Sequence, residues 1–144
     1  MKKVLKIGIL VLTIFLFSGC KNDYNKVSYR EFNGLFNDLN EYEIIDKSLI
    51  NQGIFKRSYE AGNTNYTYYY YEFDNKKEAE NYLVRNYQTN DGYSYKKNKE
   101  YTVVKHNVGS YMKGVRIDNV VIIGQGKKFF DRFEINKIMG KLGV

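Results

Sequence analysis

The chain has 144 residues, 23 basic and 16 acidic side chains, a net charge of +7, fifteen tyrosines, no tryptophan or proline, one cysteine and one histidine. One cysteine excludes an intramolecular disulfide, and one histidine excludes a metal centre built on a histidine cluster. The length suits one domain with a substantial core and is short for two.

Lys2, Lys3 and Lys6 make a basic start, Ile7 to Phe17 is an uncharged apolar run, and the small residues Ser18 and Gly19 lead into Cys20. That order is the order of an export signal. The apolar run falls well short of the ~20 residues that a spanning helix needs. Leu16-Phe17-Ser18-Gly19-Cys20 resembles the lipobox of bacterial lipoproteins, with Phe17 where the family most often carries leucine. The resemblance implies that the Cys20 thiol receives a diacylglyceryl group, of the palmitate type, and that cleavage leaves Cys20 as the first mature residue. It places the protein on the outer face of a bacterial cytoplasmic membrane, in a cell of Gram-positive type. One acyl chain binds marginally, whereas two hold firmly.

The chain then divides into a signal peptide over 1–19, a lipidated cysteine and polar tether over 20–27, and an α+β domain over 28–144. Without the signal, 125 residues remain and the charge falls to +4. A mild basic excess on an exported chain suits anionic lipid or wall polymer, and nucleic acid is not expected as a partner.

Ser28-Tyr29-Arg30-Glu31 fits a capping box, with Val27 and Phe32 at the staple positions. Phe32, Leu35, Phe36 and Leu39 follow at helical spacing, which predicts an amphipathic helix to about Asn40. Tyr42 to Ile50 turns to β-favouring residues, Asn51-Gln52-Gly53 supplies a turn, and Ile54 to Glu60 reads as a second strand. A polar loop over 61–65 precedes a third strand, Tyr66 to Phe73.

That third strand carries five tyrosines. Alternation puts Tyr66, Tyr68 and Tyr70 on one face and Tyr69, Tyr71 and Phe73 on the other. A tyrosine offers apolar area and a hydroxyl together, so an open ring face there would stack on sugars or hold a partner chain. The competing expectation is that a helix covers one face and cross-strand neighbours cover much of the other. Tyr66, Tyr68, Tyr69, Tyr70 and Tyr71 are therefore the candidate binding residues.

A second helix is expected from Asp74 or Asn75 to about Asn90-Asp91-Gly92, with Glu78 in its first turn. Strands are expected over Tyr93–Tyr95, Tyr101–Lys105 and Tyr111–Ile117, with a charged turn over 96–100. Asp118-Asn119 reads as a two-residue hairpin turn into Val120-Val121-Ile122-Ile123, whose apolar run implies a central strand buried on both faces. A last helix is expected near Phe130 to Leu142. Sliding the first helix by 47 residues aligns Ser28 with Asn75 and Glu31 with Glu78, a hint of two related halves.

Signs of catalysis are sparse. His106 sits in a polar stretch with Ser110 as a mere sequence neighbour, and neither Asp23 with Glu31 nor Glu72 with Asp74 stands out as an acid–base pair. Gly124-Gln125-Gly126-Lys127-Lys128 lies where phosphate loops lie, between a strand and a helix, but its spacing matches neither glycine-rich signature. No cofactor and no metal site are expected. The expected fold is an α+β domain, an antiparallel sheet with about three helices mainly on one face. The expected function is a non-catalytic binding or interaction module of the cell envelope, holding an envelope protein, a peptide or a glycan. The alternatives are an accessory subunit of a membrane complex and a carboxylate-dependent envelope enzyme.

Overall fold

The computed structural model describes residues 24–50, 53–88 and 92–144. The expected signal segment and Cys20 lie outside the described residues. Seven antiparallel strands form one sheet: β1 (Glu43–Asp46), β2 (Arg57–Gly62), β3 (Tyr66–Glu72), β4 (Tyr93–Lys97), β5 (Tyr101–His106), β6 (Tyr111–Ile117) and β7 (Val120–Gly126). Their order across the sheet is β1-β2-β3-β7-β6-β5-β4. Three helices cover it, α1 (Tyr29–Leu39), α2 (Lys76–Tyr87) and α3 (Arg132–Lys141), so the fold is α+β as expected.

The expected local signals operate at the expected places. Ser28 caps α1 through a complete capping box, and the Asn75 side chain caps α2 by accepting from the Glu78 N–H. Asn40 ends α1 with a left-handed backbone, φ 55°. Asp118-Asn119 joins β6 to β7 with Asp118 at φ 52°. β7 holds the middle of the sheet, and Val120 to Ile123 are buried on both sides.

The two faces carry two cores. Phe32 and Phe36 of α1 and Ile135, Ile138 and Met139 of α3 pack on Tyr68, Tyr70, Val103, Val115 and Ile122. Ala79 and Leu83 of α2 pack on Tyr71, Val104, Val121 and Ile123 on the opposite face. The helices thus divide two to one. Because α1 shares its face with α3, it sits over the outer strands β1 and β2, whereas α2 packs over β5, β6 and β7.

Two glycine positions explain how α3 comes so close to β7. A Cβ on Gly124 would lie 2.8 Å from Ile135 Cγ2 and 3.1 Å from Met139 Sδ, and one on Gly126 would collide with Asp131. The Gly124-Gln125-Gly126 segment is the end of a strand, paired on both sides, and its glycines admit a helix instead of a phosphate.

The hint of two halves has a geometric counterpart. Each half is a helix followed by a three-strand meander, α1-β1-β2-β3 and α2-β4-β5-β6. β3 and β6 both pair antiparallel with β7 and so run parallel to each other. A half-turn about β7 exchanges the meanders and exchanges the faces, which puts α1 and α2 on opposite sides.

Some boundaries differ from expectation. β1 is only four residues, and β2 begins at Arg57, not Ile54, because 47–56 form a long connection with Lys47 N–H donating to Ser58 O and Lys56 N–H donating to Glu72 O. β7 extends three residues beyond Ile123, since β3 and β6 are both long enough to pair with it.

Candidate functional site

Both faces of the tyrosine-rich strand are covered. Tyr68, Tyr70 and Tyr71 are buried, whereas Tyr66 and Tyr69 keep partial exposure. On the α1 side, Phe36 lies 4.9 Å from Tyr68 and Phe32 lies 5.6 Å from Tyr70, ring centre to ring centre. On the α2 side, Tyr71 stacks on Phe55 at 4.5 Å and meets Tyr82 at 5.2 Å. The strand supplies core to both faces and leaves no continuous ring face for a ligand. Burial raises the phenols of Tyr68, Tyr70 and Tyr71 above their ordinary value, so they remain neutral.

An open cleft lies one row further along the same strand. Thr67 of β3, Gln125 of β7, Met112 of β6 and His106 of β5 are successive cross-strand partners. All four point to the α2 face, in step with Val104, Ile123 and Tyr71 of that core. Met112 is buried in that core, but α2 stops short of covering Thr67, Gln125 and His106: its last turn, Asn86 and Tyr87, stands beside the row as a wall. The result is a cleft of about 430 Å³ with Thr67, Gln125, Met112 and His106 as floor. Asn65, Ser110 and Lys127 stand at its rim, from the β2–β3, β5–β6 and β7–α3 connections.

The chemistry of the cleft is that of hydrogen bonding. Lys127 Nζ donates to Thr64 O at 2.7 Å, tying two of the rim connections together. Burial raises the Tyr87 phenol, with Tyr82 next to it as a further cause, and so keeps a neutral hydroxyl in the wall. Tyr111 borders the cleft through its place in β6, but its ring packs on the opposite face, where its hydroxyl donates to Asn136 Oδ1 of α3 at 3.1 Å. Amide, hydroxyl and imidazole groups converge beside one thioether and one ring, and the size is that of a small-molecule or short-peptide site. Among the described residues the lining holds no carboxylate, so His106 and Ser110 share a cleft without the third member of a triad.

A second, larger cleft of about 610 Å³ runs along α2, between Gly53 to Lys56 and Asp74, Glu78, Asn81, Arg85 and Asn86, so that Asn86 borders both clefts. Its floor is closed by packed rings, Phe55 against Phe73 and Tyr82 at 5.1 Å each. It lacks the row of polar groups in register that the first cleft has.

The carboxylates considered from sequence fall apart in space or serve the scaffold. Asp23 lies outside the described residues, and Glu31 caps α1. Glu72 accepts from Arg57 at 2.8 Å and lies 3.7 Å from Lys56, while Asp74 is exposed. No group of three or more His, Cys, Asp or Glu able to hold a metal occurs among the described residues. No helix among them is long and apolar enough to cross a membrane.

The row Thr67–Gln125–Met112–His106 escapes sequence reasoning because register, not spacing, assembles it. Thr67 and His106 are 39 residues apart in the chain, and Gln125 stands between two glycines in a stretch that lies where phosphate loops lie.

No protein-family model and no curated protein matches the chain. A solved structure from Thermotoga maritima, described as a GTP binding regulator, has a similar fold, with 11% identity and a TM-score of 0.52. The likeness covers 78% of this chain and 82% of that one, and it extends to the fold alone.

Proposed function

We propose that the protein is a lipid-anchored, extracytoplasmic binding module, held by a diacylglyceryl group on Cys20 at the outer face of a bacterial cytoplasmic membrane. Its ligand is a polar envelope molecule, a glycan or a short peptide, taken in the cleft at the end of α2. The basic start, the short apolar run and the Ser18-Gly19-Cys20 sequence support the anchor. One observation carries the binding part: half-buried Thr67, Gln125 and His106, from three strands, stand in a single row with buried Met112 beneath a cleft that the covering helix leaves open. A site that only binds needs such convergent donors and acceptors, not a perturbed nucleophile.

The test is a titration of the full-length protein in detergent micelles with envelope oligosaccharides and short peptides, followed by backbone amide NMR. A ligand of this site moves the amides of Thr67, Met112 and Gln125 together, and Gln125→Leu weakens it about tenfold or more, the loss of one or two hydrogen bonds. Shifts confined to other surfaces, or affinity untouched by Gln125→Leu, would refute the assignment.

A second reading, an accessory subunit of a membrane complex, has its own support. Leu49, Ile50 and Ile54, on the β1–β2 connection, are 80%, 75% and 62% exposed. Three aliphatic side chains in one exposed connection suit a protein contact. Leu49→Ser with Ile54→Ser should release such a partner from detergent-solubilised membranes and leave ligand titrations at the cleft unchanged.

A further inference from the structure

The link from β7 into α3 exposes three rings in five residues: Phe130 is 73% exposed, Phe133 65% and Phe129 37%. Lys128 and Arg132 adjoin them in the chain, and the Arg132 guanidinium lies 4.7 Å from the centres of both the Phe129 and Phe133 rings. The outward stripe of α3 continues the pattern, with Lys137 and Lys141 exposed at the fourth and eighth positions after Phe133. The two acids of the segment are engaged locally. Asp131 accepts from the Lys128 N–H at 2.8 Å, and Glu134 pairs with Lys137 at 3.1 Å. What faces outward is aromatic and basic.

The position of the anchor gives this surface an occupant. Asn25 N–H donates to Gly143 O, just past the far end of α3. α3 has ten residues and is about 15 Å long, and the five residues from Cys20 to Asn25 reach at most about 17 Å. The tether therefore enters at one end of α3, and the exposed rings stand at the other.

We propose that the Phe129–Phe133 segment and the outward stripe of α3 lie on the anionic bilayer that holds the Cys20 lipid. This rests on the reading that Cys20 is diacylated. Exposed rings sink into the head-group region, lysines reach out along it to lipid phosphates, and a second contact fixes the orientation that one flexible tether leaves free. α3 and α2 cover opposite faces of the sheet, so this orientation points the cleft away from the membrane and toward the envelope.

The absence of tryptophan from the chain makes the test direct. The full-length lipoprotein carrying Phe130→Trp, and separately Ile54→Trp at the opposite end of the sheet, is reconstituted on vesicles of phosphatidylglycerol and phosphatidylcholine brominated on the acyl chains. Flotation and the acyl mass on Cys20 are read in the same samples. With Phe130→Trp, the emission should shift to the blue and fall about twofold or more, less so on phosphatidylcholine alone, while Ile54→Trp stays unquenched. An acylated, floating protein whose Phe130→Trp emission is unquenched overturns the contact and leaves the anchor standing. An unacylated protein that floats and is quenched retires the anchor and keeps the contact. A protein that neither floats nor is quenched overturns both, and equal quenching of the two variants overturns the orientation.

Discussion

Tyr66 and Tyr111 stand on opposite sides of Gly126, each its partner in the sheet, although 45 residues separate them in the chain. The correspondence runs outward from there. Arg57 and Tyr101 pair with Glu72 and Ile117, which both face Val120, and the helix caps Ser28 and Asn75 repeat the pattern. The two meanders are matched strand for strand about β7. The unmatched element is α3, which occupies one face at this end of the sheet and leaves the other open as the cleft.

The glycines under the helices should be intolerant. Gly124→Ala places a methyl group against Ile135 and Met139 of α3, and the expected loss is about 1–3 kcal/mol in urea unfolding. Gly34→Ala, in α1, meets nothing within 4 Å and should add about 0.5–1 kcal/mol.

Stability should depend on Lys113 above neutral pH. Lys113 is buried on the α1 and α3 face, its ammonium 5.7 Å from the Tyr24 ring centre, and burial, with Lys105 as a lesser cause, lowers its pKa to about 8. The unfolded chain binds this proton more tightly, so stability rises as pH climbs from about 8 toward the ordinary lysine value, by up to ~3 kcal/mol. The buried tyrosines act in the opposite sense. Their phenols are raised in the fold, so their contribution is complete below the ordinary tyrosine value and is lost as pH rises beyond it. Urea midpoints should therefore peak near pH 10, and Lys113→Met should remove the rising limb while stabilising the protein at pH 7.

The cap of α1 predicts an acid-side effect. Hydrogen bonds from Ser28, backbone first and hydroxyl second, hold the Glu31 carboxyl below its ordinary value. That contribution is present above the ordinary glutamate value and is lost as pH falls through the depressed one. Ser28→Ala should cost about 1 kcal/mol at neutral pH and flatten this part of the acid limb in urea unfolding.

The proposed anchor has a single-residue test. Cys20→Ala should abolish incorporation of labelled fatty acid and leave the signal uncleaved at that position. Label persisting on the variant would contradict lipidation at Cys20.

The local signals of this chain were plain in its sequence. Ser28 with Glu31, Asn75 with Glu78, the hairpin at Asp118 and the buried run Val120 to Ile123 each depend on residues within a few positions. The alternation of the tyrosine strand was readable too, with Tyr68 and Tyr70 on one side and Tyr69 and Tyr71 on the other. Which side was wet was not, because α1 and α2 arrive from different halves of the chain and cover both. The cleft was hidden for a related reason. Its floor needs the register of four strands, and its opening depends on where α2 stops, so neither Thr67 nor Gln125 carries a signature alone. Gln125 sat between glycines that suggested a loop, whereas the glycines answer to α3 on the other face of the strand.

The most direct test of the binding account is photo-cross-linking in cells producing the full-length protein. A photoreactive residue would replace Asn86, which borders both clefts, or Asn37, exposed on α1 on the opposite face, and Gln125→Leu assigns an adduct from Asn86 to the first cleft. The account predicts one defined adduct of an envelope molecule from position 86, absent from position 37 and lost when Gln125→Leu is added. No adduct from position 86, or the same adducts from both positions, would contradict it.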